Sequence, residues 1–283
     1  SALKQAKSLR IIFTFQSCLY LMICGFPDFI PVFSLFLLLI YAIILNRISS
    51  CNTGCKGERK MSNTNTKQQM SETHLLGLLL ALVGGFLDAY TYICRGHVFA
   101  NAQTGNLVLL GVYLTNGDWS KAFHYFMPVL AFVLGILICE MIQSRLKWKQ
   151  SFHWRQAVVF LEFMILVISG FLPLGPSNAA VNIMVSFICA LQVEAFRKMN
   201  GNTFATTMCT GNLRSATENL YLYTKTRNRK LLRNSLQYYN VILFFILGAA
   251  VGGFLTLRLG KEAVWISCVG LVAVFFAMFR KAE

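Results

Sequence analysis

The chain has 283 residues, 56% of them hydrophobic and 13% charged, with a formal net charge of +15. A soluble domain carries about 25% charged residues, and several apolar runs approach the roughly 20 residues that cross a bilayer, so a water-soluble globular fold is excluded. No ladder of short alternating segments suggests a transmembrane β-barrel. The positive charge sits in short loops between apolar runs, so nucleic acid is not an expected partner.

The first 60 residues read differently from the rest. An apolar run from Ile11 to Leu45 is broken by Pro27-Asp28 and Pro31, and a polar stretch from Cys51 to Lys60 follows. Residues 61–74 read as the polar cytoplasmic N-terminal segment of a membrane domain. Residues 1–60 are therefore expected to be an upstream extension or an extra anchor helix, and not a signal peptide of ordinary form. Cys51 and Cys55 have no second ligand pair at zinc spacing. The cysteines at 94, 139, 189, 209 and 268 lie within or beside apolar runs, as small hydrophobes do. No disulfide, metal or cofactor is expected.

Six spans follow: Leu75–Cys94, Phe123–Ile142, Ala157–Leu174, Ala179–Phe196, Tyr239–Leu257 and Ala263–Phe279. Two shorter segments, Leu107–Leu114 and Leu213–Tyr223, do not reach spanning length. The expected fold is an all-α polytopic membrane protein with about six transmembrane helices and two short, re-entrant or broken helices. Loop charges orient it. Arg145, Lys147, Lys149 and Arg155 mark one cytoplasmic loop, and Lys225, Arg227, Arg229, Lys230 and Arg233 mark another. Arg280 and Lys281 put the C-terminus on the same side, while loop 173–178 has no basic residue. Arg258 and Lys261 fall on the wrong side. The charges agree only when the two short segments do not cross, which makes residues 75–174 and 178–283 inverted structural repeats.

A duplicated motif supports that division. Asp88-Ala89 is followed sixteen positions later by Thr104-Gly105-Asn106-Leu107, and Glu194-Ala195 sixteen positions later by Thr210-Gly211-Asn212-Leu213. Thr and Asn suit a helix N-cap and Gly permits close backbone approach. A helix starting inside the membrane presents unpaired N–H groups and the positive end of its dipole, which hold anionic or carbonyl-bearing groups. Two such starts from opposite faces are expected to meet near the midplane. The alternative is that they are ordinary caps.

A carboxylate as deep as Asp88 costs a few kcal/mol on insertion scales. It is expected to bind a solute, carry a proton, hydrogen-bond a neighbouring helix start, or pair with Arg95. Glu194, with Gln192 beside it, is the second-half counterpart, with a boundary salt bridge to Arg197 or Lys198 as the rival reading. Glu162 reads as a residue that snorkels, Glu140 as interfacial, and His97 as structural. Asn182 is expected to line a cavity or bond across helices, and Asn101 and Gln103, which precede the first motif, to line the same entry. Gly248, Gly252 and Gly253 form a small-residue face for packing within the fold or in a homodimer. No hydrolase, Walker or Rossmann signature occurs, so no enzyme activity is expected.

The pieces Gly85-Phe86-Leu87-Asp88-Ala89, Phe99 through Thr104-Gly105-Asn106, Leu191-Gln192 and Thr210-Gly211-Asn212, in this order, resemble the YoaK family of bacterial inner-membrane proteins, catalogued as a domain of unknown function. The resemblance covers about Leu75 to Phe279. It implies a multi-pass protein of about six spans in the bacterial cytoplasmic membrane, and no substrate. The family pattern has an amide or small residue near position 194, so Glu194 departs from it. The functional expectation is a secondary transporter or facilitator of a small solute or ion, proton-coupled through Asp88. Its midplane site comprises Asp88, Thr104, Gly105, Asn106, Gln192, Glu194, Thr210, Gly211 and Asn212. A passive channel with opposed half-helices and a non-transporting scaffold or sensor are the alternatives.

Overall fold

The computed structural model describes residues 74–146, 154–199, 202–203 and 207–278, all within one compact unit spanning residues 66–283. The expectations for residues 1–73, for the loop lysines at 147 and 149, and for Arg280 and Lys281 lie outside them.

The described residues form helices α1 (His74–Cys94), α2 (Gln103–Thr115), α3 (Trp119–Leu146), α4 (Trp154–Phe171) and α5 (Asn178–Ala195). A two-residue ladder of β1 (Lys198–Met199) and β2 (Asn202–Thr203) follows, then α6 (Cys209–Thr226), α7 (Arg229–Leu259) and α8 (Val264–Ala277). Among the described residues five segments are long and apolar enough to cross a membrane, and the fifth, Arg229–Ala277, runs 49 residues. At 1.5 Å per residue that is more than twice the roughly 30 Å hydrocarbon core. A 3-10 turn at Gly260–Ala263, entered through Gly260 at φ 61°, divides it into α7 and α8. The last two expected spans are thus one apolar segment folded in two.

Burial separates inner from outer helices. In the most apolar window of α5, 83% of residues are buried, and 67% in α1, against 22% in the α7–α8 segment. Exposed Val133 and Leu137 on α3, Phe160 and Met164 on α4, Phe254 on α7 and Val269 on α8 give the outer surface large apolar side chains. Lipid solvates such a surface at no cost, whereas water would not.

Helix α1 packs chiefly on α7, and α5 on α3. The two short helices lie on the helices that follow them, α2 on α3 and α6 on α7. Helix α4 packs on α5 and α8, and α8 on α1. Glycines set the closest approach. A Cβ at Gly85 would collide with the Phe245 carbonyl, one at Gly248 with the Leu82 carbonyl, and one at Gly252 would lie 2.7 Å from Phe86 Cα. The expected glycine face therefore packs inside the fold, against α1. Around Gly135 of α3 the same closeness occurs, against Ala190 and the Phe187 carbonyl of α5.

These contacts also fix directions. Leu82 and Phe86 meet Gly248 and Gly252 in order, so α1 and α7 run parallel. Gln192 Nε2 donates to the Leu80 carbonyl and Asn182 Nδ2 to the Arg95 carbonyl, so α5 runs antiparallel to α1. Gly135 meets Phe187 and Cys139 Sγ reaches the Leu191 carbonyl, so α3 runs parallel to α5.

Candidate functional site

Helix α1 ends at Cys94, and the chain reverses through Gly96 at φ 90° and His97 at φ 59°. It then returns alongside α1. Val98 and Ala100 are fully buried, and Asn101 Nδ2 donates to the Gly84 carbonyl at 3.2 Å. Gly84 is midway along α1, ten residues or about 15 Å from its end, so α2 starts deep in the bundle. The second motif approaches the same glycine. A Cβ there would strike Thr207 Cγ2 and lie 3.6 Å from Asn101 Nδ2. Asn101 precedes the first residue of α2 by two positions, and Thr207 precedes that of α6 by two. Both helix approaches thus converge on the middle of α1.

Asp88 lies one turn further along. Its carboxylate accepts the Asn101 N–H at 2.6 Å and also those of Ala100 and Ala102. Helix N-termini leave N–H groups unpaired, and here a carboxylate from a neighbouring helix takes the ones ahead of α2. No ion pair joins Asp88 to Arg95. The Arg95 guanidinium, fully buried, donates instead to Tyr90 Oη at 2.9 Å, to the carbonyls of Ser169 (2.9 Å), Leu172 (3.2 Å) and Pro173 (3.0 Å), and to Asn178 Oδ1 at 3.4 Å. These carbonyls close α4, where the dipole is negative.

The motifs do not cap their helices. The N-cap residues are Ala102 and Met208, neither with a side-chain cap, and both threonines lie one residue inside the first turn. Thr104, Thr210 and Gly211 are exposed and Gly105 is half-buried against the Phe99 ring. The asparagines point inward. Asn106, fully buried, accepts the Phe99 N–H at 3.0 Å and donates to the Phe99 carbonyl and to Gln103 Oε1, both at 2.8 Å. It clasps the returning loop to α2. Asn212 is buried at the corresponding position in α6.

Glu194 stands apart from Asp88. It pairs with Arg197 at 3.4 Å and meets the Glu140 carboxyl, while Arg155 Nε donates to the neighbouring Ala195 carbonyl at 3.0 Å. That is a charged cluster at the end of α5. Gln192, one residue in its interior, bonds α5 to α1 as described above, and Asn182 does the same at the other end.

Glu162 is the main correction. It does not snorkel: it is 0% exposed, and both carboxylate oxygens lack a hydrogen-bond partner among the described residues. Its electrostatic neighbours include Cys189 of α5 and Cys268 of α8, and Cys189 also neighbours Asp88 and hydrogen-bonds Asn101. Beside these, Asn101 Oδ1, Asn182 Oδ1, Ser186 Oγ and Gln192 Oε1 are buried without a partner among the described residues. In all three amides the nitrogen is already spent on a backbone carbonyl. The unmet groups are therefore oxygens. Sequence reasoning placed Asn101 in the entry to the first motif and missed Thr207; an acid within an apolar run was the available signal for Glu162. Among the described residues no group of three His, Cys, Asp or Glu is arranged to hold a metal.

Residues 76–277 match the family described as "Protein of unknown function (DUF1275)". The chain belongs to this family. It is similar to the UPF0700 transmembrane protein YoaK of Bacillus subtilis (strain 168), at 24% identity over 200 residues, covering 68% of this chain and 87% of that protein. No solved structure matches the chain. With its apolar helices, the family relationship makes the chain a multi-pass helical membrane protein.

Proposed function

We propose that this DUF1275 member is a secondary transporter of a small solute in the bacterial inner membrane, not an enzyme, built from two inverted repeats. The observation that carries the reading is the convergence of Asn101 and Thr207 on Gly84. Two helix starts within the bundle, one from each half, are the arrangement that transporters of repeated architecture use for binding.

The helix directions support the repeats. Helices α1 and α3 are antiparallel, so α2 makes no net crossing; α5 and α7 are antiparallel, so α6 makes none. Exchanging α1–α4 for α5–α8 also leaves the packing list unchanged: α1 on α7 becomes α5 on α3, α2 on α3 becomes α6 on α7, and α4 on α5 becomes α8 on α1.

The chemistry of the solute follows from the unmet oxygens. Asp88 fills the N–H groups ahead of α2, so an anion has no claim on that end. A carboxylate without partners is tolerated inside a membrane only with a proton or a cation beside it. The reading is therefore a cationic or hydrogen-bond-donating solute bound among Asp88, Asn101, Ser186 and Gln192, with Glu162 as the proton carrier. The exposed Thr104, Thr210 and Gly211 have the weakest claim to contact it, and Glu194 serves the boundary cluster.

The test is uptake into proteoliposomes. A panel of amines, alkali cations and polyols is first screened by thermal unfolding of the full chain. A solute that stabilises it is then followed under an imposed pH gradient. Glu162→Gln is expected to keep passive exchange and lose gradient-driven accumulation at least tenfold, while Asp88→Asn weakens both. Accumulation that survives both substitutions makes the acids structural, and silence across the panel leaves the scaffold reading.

A further inference from the structure

At the end of the bundle where α1 begins and α6 passes to α7 there is an open cavity of about 720 Å³, within the roughly 300–1,000 Å³ of small-molecule sites. The turn that shapes it is tight. Arg227 adopts φ 53° and closes α6, and Asn228 Oδ1 caps the first turn of α7 by accepting the Lys230 N–H at 3.0 Å. Along α7, Arg229, Arg233, Gln237 and Asn240 follow one another at helical spacing into the cavity wall, with Tyr223 of α6 and His74 of α1 opposite. Like charges four residues apart repel by a few tenths of a kcal/mol. Among the described residues no carboxylate pairs with either arginine. The positive end of the α7 dipole points the same way.

A second observation narrows the ligand. Gln237 is only 9% exposed and its amide oxygen has no partner among the described residues, as is true of both His74 ring nitrogens. Two forked guanidiniums match phosphate oxygens. The amide oxygen needs a donor, which a bare anion lacks and a hydroxyl supplies.

We infer that this cavity binds a phosphate-bearing anion that also carries hydroxyl groups, drawn from an anionic phospholipid headgroup or from a soluble phosphate ester. The inference does not rest on transport, since the cavity is distinct from the groups around Gly84.

The test uses the full chain in neutral detergent. Thermal unfolding is followed with glycerol 3-phosphate against chloride at equal ionic strength, and with micelles containing phosphatidylglycerol against phosphatidylcholine. Wild type and Arg258→Gln, whose exposed arginine lies over Phe254 far along α7, are expected to gain about 5 °C at a hundredfold excess over Kd. Arg229→Gln and Arg233→Gln are expected to lose most of that gain while melting normally without ligand. A response to glycerol 3-phosphate identifies a soluble source, and one confined to phosphatidylglycerol identifies lipid. Native mass spectrometry gives a readout independent of melting, with one phosphatidylglycerol fewer per chain in both variants if the source is lipid. No shift with any probe, or equal shifts and equal lipid counts in the arginine variants, overturns the proposal.

Discussion

Arg95 shows how far a single side chain's role depends on residues distant in sequence. In the sequence Arg95 reads as a possible partner of Asp88, the acid two turns before it. Apart from Tyr90, its partners lie more than 70 positions away, where α4 ends, and only the packed fold supplies them. Arg95→Met is expected to destabilise the protein by about 3 kcal/mol or more, through a lost charged network and orphaned carbonyls. Arg197→Met, where the arginine is exposed though its partner Glu194 is mostly covered, is expected to cost less, about 1 kcal/mol. Thermal unfolding in detergent checks both, and equal melting of the two variants refutes the account. Asp88 was legible, since a carboxylate in an apolar run has few fates and a helix start is one of them. Glu162 was misread because its depth depends on α5 and α8 covering it, which no local pattern reports.

Among the elements, the glycine face on α7 was readable from spacing alone, since small residues four apart mark a close helix contact. What spacing left open was its partner, and the structure gives α1. Gly85→Ala and Gly248→Ala put a methyl into backbone and are expected to lose about 2 kcal/mol or more, as overpacked cores do. At Gly211 an added Cβ meets nothing within 4 Å. Gly211→Ala is therefore expected to be neutral or to stabilise by up to about 1 kcal/mol through helix propensity. Melting of the three variants side by side checks the contrast, and a destabilised Gly211→Ala contradicts it. The Thr-Gly-Asn motifs were located correctly and assigned the wrong local task. Threonine ahead of an apolar run resembles a cap, yet each N-cap lies two residues earlier; ahead of α2, Asp88 and Asn106 hold the loop by its backbone.

For the whole molecule, loop charge and the matched sixteen-residue spacings suggested two halves of opposite orientation. The legible part was the multi-pass helical class, read from the apolar runs. The motifs point to two helix starts meeting inside the bundle, but not to Gly84 as the place where their approaches meet, because that depends on how deeply each loop returns. Single cysteines at Thr104 and Gly211, both exposed, test the arrangement with a membrane-impermeant thiol reagent, after subtraction of labelling in the parent. Access from opposite sides is expected, and access from one side removes the inverted repeats. The ring of carbonyls around Arg95 also bears on the making of the chain. Helix α1 is made before α4, and the Arg95 guanidinium has only Tyr90 of that helix as an acceptor until residues 169–173 have been added. At roughly 5–20 residues per second that is a wait of about 4–15 seconds. During it α1 lacks the carbonyl ring that ties it to α4, so the completion of α4 is the event that locks the two helices together.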